Sequence, residues 1–224
     1  MAVYDVSGNL ISNESVLKGK TMITLGDSIV YFDDKTAGGE TIKGYQGYLR
    51  DMGMTVTNVG VAGAAIAYHP GSYTDIVETA QNTTFSGYDY VMVAGGTNDF
   101  GDRKSPIGEL NSTPYDNTTV IGALQIIIEK IISDKKNCKI FLMTPLKRTD
   151  IPWNTANSLG KKMGDYADAI KLVGAFYSVP VLDFFNMSGL NDDNMSTLTR
   201  DGVHPKNAGY LFMSNKLVKF VEAL

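Results

Sequence analysis

Thr21-Met22-Ile23-Thr24-Leu25-Gly26-Asp27-Ser28 is the stretch whose reading decides the fold. Thr21 to Leu25 is short, apolar and β-branched, as a buried strand should be, and Gly-Asp-Ser ends it at a sharp corner. Four further runs have the same character: Thr55 to Val59, Tyr88 to Ala94, Lys139 to Met143 and Val179 to Asp183. Helical periodicity fills the gaps between them. Val120, Ala123, Leu124, Ile127, Ile128 and Ile131 recur at three- and four-residue steps and predict a helix over 119–135. Leu159, Met163, Tyr166, Ile170, Val173 and Tyr177 predict a second. Further helices are expected near Thr41 to Met52, from Tyr73 to Gln81 with Ser72 as N-cap, and from Ala208 to Leu224.

Strands that alternate with helices form a parallel sheet covered on both faces, because right-handed crossovers lay a helix over each strand pair. The expected fold is therefore α/β, a three-layer αβα sandwich around a flavodoxin-like five-stranded parallel sheet in the order 2-1-3-4-5. In such sheets ligands bind beyond the carboxyl ends of the strands, so the loops beginning at Gly26, Gly60, Gly95, Thr144 and Phe184 should share one rim. Residues 1–20 stand outside this pattern and read as an N-terminal arm or hairpin around a Ser7-Gly8-Asn9 turn, or equally as a junction to another module, with one domain over 21–224.

Bulk properties narrow the function. The chain has 224 residues, 43% hydrophobic and 20% charged, enough for one core and too ordered in composition for a disordered chain. Twenty basic against twenty-four acidic residues give a net charge of −4 with no basic stripe, so nucleic acid is not expected as a partner. A single cysteine, Cys138, excludes an internal disulfide and a multi-cysteine zinc site, and its place before an apolar run marks it as a core residue. There is no export signal and no apolar run approaching ~18 residues, so no membrane association is expected and a cytoplasmic location is the default.

Histidine is the side chain suited to proton transfer near neutral pH, and only His69 and His204 are present. His204 lies in Asp201-Gly-Val-His204-Pro205, where a carboxylate three residues upstream and an intervening glycine allow both side chains to face one site. A structural turn is the alternative. Ser28 stands where the first strand ends, at the expected rim, with helix capping as its alternative role. Asn58-Val-Gly-Val-Ala-Gly63 is rich in small residues that allow backbone N–H groups close to a bound oxygen, and Gly95-Gly-Thr-Asn98-Asp99 adds a side-chain amide. Taken singly these loops are ordinary turns. Together, a hydroxyl, an Asp/His pair and two sets of oxyanion donors converge from four strand ends.

With these blocks the chain resembles the SGNH hydrolases, also called GDSL esterases or lipases, from Ile23 to Pro205. The resemblance implies Ser28 as nucleophile, Asp201 and His204 completing a catalytic triad, and an oxyanion hole from the backbone N–H groups of Ser28 and Gly63 with the Asn98 side chain. It implies a compact αβα sandwich with an open site and no metal or organic cofactor. The Gly19-Lys20-Thr21 tripeptide is not a phosphate loop, since Glu14 occupies the position of the required glycine; H-E-x-x-H and G-x-S-x-G are absent.

The loops expected at the rim, 100–117 and 145–158, are polar and carry Arg103, Lys104, Lys147, Arg148 and Asp150. This favours short acyl groups, acetyl foremost, on a small-molecule or glycan carrier, as in many bacterial relatives. Asp27, Tyr68, His69 and Trp153 are the candidate substrate contacts, although loop packing is the favoured role for His69 and for the lone tryptophan. The competing readings are a lysophospholipase- or thioesterase-like acyl hydrolase, a catalytically silent carbohydrate- or receptor-binding module of the same fold, and a flavin binder, which the segment after the first strand does not support.

Overall fold

Successive side chains of a strand point to opposite faces, and both sets are buried here. The computed structural model describes residues 15–71, 74–110 and 113–224, with the backbone of Val3–Tyr4 and Leu10–Ser12. The apolar runs form β1 (Thr21–Gly26), β2 (Thr55–Asn58), β3 (Tyr90–Ala94), β4 (Lys139–Met143) and β5 (Val181–Leu182). They pair in parallel in the order 2-1-3-4-5, as expected, with Ile23 level with Thr57 on one side and Val91 on the other. Ile23, Leu25, Val91, Val93, Ile140 and Leu142 enter one core. Met22, Met92, Phe141 and Met143, one residue out of step, enter the other.

The helices are α1 (Ser28–Tyr31), α2 (Tyr45–Asp51), α3 (Ile76–Gln81), α4 (Thr97–Phe100), α5 (Val120–Asp134), α6 (Met163–Tyr177), α7 (Phe184–Met187), α8 (Met195–Leu198) and α9 (Asn207–Glu222). α3, α5 and α6 pack together over the first face, and α2 packs on α9 over the second, which completes the three layers. α5 begins where Thr119 Oγ1 accepts the Gly122 N–H, and its Leu124, Ile127, Ile128 and Ile131 are buried.

Helix starts depart from expectation where a side chain captures backbone N–H groups. α6 begins at Met163, not Leu159: the Asn157 side chain accepts from Leu159 and Lys161 N–H at 3.0 and 3.1 Å, holding a turn there, and Leu159 is exposed. α3 begins at Ile76, where Glu78 accepts the Asp75 N–H at 3.0 Å; Ser72 and Tyr73 lie outside the described residues. α2 begins at Tyr45 because Glu40–Thr41 pairs with Thr36–Ala37 in a small antiparallel hairpin. The last strand forms ladder contacts only at Val181 and Leu182. Val3–Tyr4 and Leu10–Ser12 pair antiparallel, while Ser7-Gly8-Asn9 lies outside the described residues. From residue 15 onward the chain joins the domain core, with Leu17 fully buried and Ser15 Oγ donating to Glu222 at 2.7 Å. Among the described residues no helix is long and apolar enough to cross a membrane.

Candidate active site

All five strands point the same way, so the loops that leave them emerge along one edge. At the end of β1 a side chain on Gly26 would stand 2.4 Å from Val30 Cγ2 and 2.7 Å from the Ala94 carbonyl, so glycine is required for α1 to turn back beneath the strand end. Asp27 caps α1, its Oδ1 accepting the Ile29 N–H at 2.9 Å. Ser28 follows as the first helical residue, where a backbone N–H has no partner within the helix.

The turn before α9 brings His204 to this serine. Thr199 and Pro205 pair across the turn, and Gly202 adopts a left-handed backbone, φ +82°. Asp201 Oδ1 accepts the N–H groups of Val203 and His204 at 3.1 and 2.8 Å, which leaves Oδ2 for His204 Nδ1 at 2.7 Å. His204 Nε2 lies 2.8 Å from Ser28 Oγ. A carboxylate at Nδ1 fixes the proton there, so Nε2 is the acceptor for the serine hydroxyl. Phe32 meets the imidazole edge-on at 5.7 Å, and the Arg200 guanidinium stacks on Phe32 at 4.6 Å. Partial burial pushes the Asp201 carboxyl upward, but the His204 N–H, imidazole and charge outweigh it and hold the group below the usual carboxylate range.

Asn98, in α4, donates through Nδ2 to the Ala64 carbonyl at 2.8 Å, which ties the amide to the loop that follows Gly63. An amide nitrogen carries two hydrogens, so one remains for another acceptor. That loop is pegged by two fully buried carboxylates. Asp99 accepts from Ile66 N–H, Ala67 N–H and Ser105 Oγ at 2.8, 3.1 and 2.7 Å; Asp75 accepts from Ala65 and His69 N–H at 2.9 and 2.7 Å. Burial pushes the Asp99 carboxyl upward against the pull of these donors. Arg148, 5% exposed, forms a second tie: it donates to the Thr97 carbonyl at 3.0 Å and forks onto the Asp150 carboxylate. Its neighbour Thr149 donates its N–H to the Gly202 carbonyl at 2.9 Å. One short segment after β4 thus holds both the asparagine block and the histidine turn.

Of the residues expected from sequence, Ser28, His204 and Asp201 are brought into one hydrogen-bonded line, and Asn98 is joined to the Gly63 loop. Asp27 is a correction: at 3% exposure its carboxylate faces inward as the α1 cap and offers no surface to a substrate. Burial pushes this carboxyl up to about 7, with the Ile29 N–H opposing and the nearby Asp99 charge adding to the rise. His69 turns back on its own loop, Nδ1 standing 3.0 Å from the Ala67 carbonyl and 3.6 Å from Asp75. Tyr68 is half-buried against the first core, with its N–H on the Asn117 carbonyl at 2.8 Å. Trp153 packs edge-on to Phe185 at 5.8 Å beneath the Lys147 ammonium, and its indole N–H donates to Asp192 at 3.2 Å. Cys138 stands beside β4 at the edge opposite the rim, where burial pushes its thiol up to about 11. Asp75, Asp99, Arg148 and Asp150 were not singled out as site residues from the sequence. Their partners lie up to 51 positions away, and no local pattern announces them.

Known structures share this arrangement of strands and helices. One solved structure, 30% identical, superposes with a TM-score of 0.81 over 94% of this chain and 99% of that one. A protein from Lactobacillus plantarum is 26% identical, with a TM-score of 0.76 and coverage of 92% and 98%. The aryl esterase of M. smegmatis shares the fold at 18% identity, TM-score 0.65, over 92% of this chain and all of its own (100%). No curated protein matches the chain. The model of the GDSL-like lipase/acylhydrolase family matches residues 24–211, and the chain belongs to this family of serine ester hydrolases.

Proposed function

We propose that Ser28 is the nucleophile of an esterase whose general base is His204, oriented by Asp201, and whose preferred substrates are short acyl esters, acetyl foremost, of a carbohydrate. The observation that carries the reading is the continuous line Ser28 Oγ, His204 Nε2, His204 Nδ1, Asp201 Oδ2, with gaps of 2.8 and 2.7 Å. Ser28 Oγ attacks the ester carbonyl while Nε2 takes its proton, and the carbonyl oxygen becomes an oxyanion. The N–H groups of Ser28 and Gly63 and the free hydrogen of Asn98 Nδ2 are its donors. The tetrahedral adduct collapses, the leaving alcohol takes the proton back from His204, and an acyl-Ser28 ester remains. Water, deprotonated by His204, then hydrolyses that ester and restores the serine.

Short acyl groups are supported by the polar loops after β3 and β4, which bring charged side chains and no long apolar lid to the rim. The test is covalent labelling by a fluorophosphonate with turnover of p-nitrophenyl esters of increasing chain length and of acetylated glycans. Labelling lost in Ser28→Ala, with acetate released fastest, is the expected result. Labelling that persists in Ser28→Ala refutes the nucleophile; a preference for long chains with no acetate from any glycan replaces this substrate class with that of a lysophospholipase or thioesterase.

A further inference from the structure

Beyond the triad carboxylate the surface is hollow. A depression of about 390 Å³ is lined by Asp150, Asp192, Ser196, Arg200 and Asp201, and a second, of about 220 Å³, by Trp153, Asn154 and Asp192. Thr149 and Asp192 border both, so the two form one groove that runs from Asp201 to the only tryptophan of the chain. From this groove we infer a binding subsite for the neutral polyhydroxylated carrier of the ester, a sugar chain whose acylated unit lies at Ser28. The inference rests on the ester-hydrolase reading above and adds the region that recognises the alcohol side of the substrate.

Three observations carry it. The indole is partly exposed yet fixed in place, with Lys147 above one face at 4.3 Å, Phe185 at its edge and its N–H on Asp192. A rigid aromatic surface suits the apolar C–H face of a sugar ring and loses little entropy on contact. Asp192 and Asn154 beside it, and Ser196 farther along the groove toward Asp201, are acceptors and donors of the kind that meet hydroxyls. The charges favour a neutral carrier: the carboxylates of Asp150, Asp192 and Asp201 line the groove, Arg148 is held by Asp150 and Thr97, Arg200 stacks on Phe32, and the Lys147 ammonium is engaged over the indole. A phosphate-bearing headgroup would face these carboxylates.

Since Trp153 is the sole tryptophan, its fluorescence reports on this groove alone. The Ser28→Ala chain is titrated with acetylated xylo-oligosaccharides and acetylated manno-oligosaccharides, with lysophosphatidylglycerol as the anionic-carrier probe. A saturable emission change with at least one glycan and none with the lipid is expected. In the wild-type background, Trp153→Ala and, as a milder change, Asp192→Asn should lower the ratio of kcat/KM for that glycan to kcat/KM for p-nitrophenyl acetate by about tenfold, the scale of one lost contact. Emission unmoved by both glycans, or a ratio unchanged in both variants while wild type releases glycan acetate, overturns the subsite and leaves the esterase intact. Emission that responds only to the lipid overturns it in favour of an anionic carrier. Failure of the esterase itself shows separately, as absence of Ser28 labelling.

Discussion

Replacing Asp27 by asparagine removes a buried titrating group without removing the cap, because the amide oxygen can still accept the Ile29 N–H. In the folded chain this carboxyl titrates near 7, against an ordinary value of 3.8. Between those values the unfolded chain has released the proton and the folded chain still holds it. The folded state therefore binds more protons, and wild-type stability falls as pH rises through the window. At about 1.4 kcal/mol per pH unit across roughly three units, Asp27 withdraws about 4 kcal/mol between pH 4 and pH 7. Below pH 4 both states are protonated and above pH 7 both are ionised, so the contribution is flat outside the window. Carboxylates held low, such as Asp201 and Asp89, tilt the stability curve the other way, but they are common to both chains and cancel in the difference. The assay is urea unfolding of wild type and Asp27→Asn at unit steps from pH 4 to pH 8. The variant should gain about 4 kcal/mol on wild type from the acid end to the alkaline end. Parallel stability curves, or a gain that grows toward acid pH, refute the assignment of a neutral carboxyl beneath the serine.

Asn98→Ala should reduce kcat by ~10²–10³ with an unchanged circular dichroism spectrum, since it removes one of the proposed oxyanion donors. Arg148→Met removes one of the two donors to the Thr97 carbonyl, which keeps the Gly101 N–H at 3.0 Å, and leaves the partly solvated Asp150 carboxylate without its guanidinium, so the cost should fall below that of a fully buried pair, about 2 kcal/mol in urea unfolding. Gly202→Ala forces a side chain into a left-handed position with its Cβ 2.6 Å from Thr149 Oγ1, so fluorophosphonate labelling of Ser28 should slow in step with kcat/KM as the His204 turn shifts.

The fold and the central line of the site were legible for one physical reason. A strand buried on both faces must be apolar throughout, so β1, β3 and β4 announce themselves, and a parallel sheet sends every following loop to one edge. Ser28, Asn98 and His204 could then be placed together without coordinates. Helix starts were less legible, because Asn157 and the Asp75–Glu78 pair set them through single side chain-to-backbone bonds that periodicity does not register. Asp27, a candidate substrate contact from sequence, is a buried cap. The signal that would have corrected it is its position just before the first helical residue, where aspartate turns inward as a cap.

The least legible residues are those that hold the site together across long separations. Asp99 adjoins Asn98 yet binds the backbone of Ile66 and Ala67; Arg148 reads as a loop charge yet reaches Thr97, while Thr149 beside it reaches Gly202. These contacts make the Gly63 loop, the Asn98 turn and the His204 turn mutually dependent. A buried polar tie is costly to break by halves, since the partner left behind has lost water as well as its bond. The separate blocks therefore keep their relative positions as one unit, and substitutions in the 148–150 segment should disturb the proposed oxyanion donors and the proposed base together, although none of these side chains forms part of the Ser28–His204–Asp201 line.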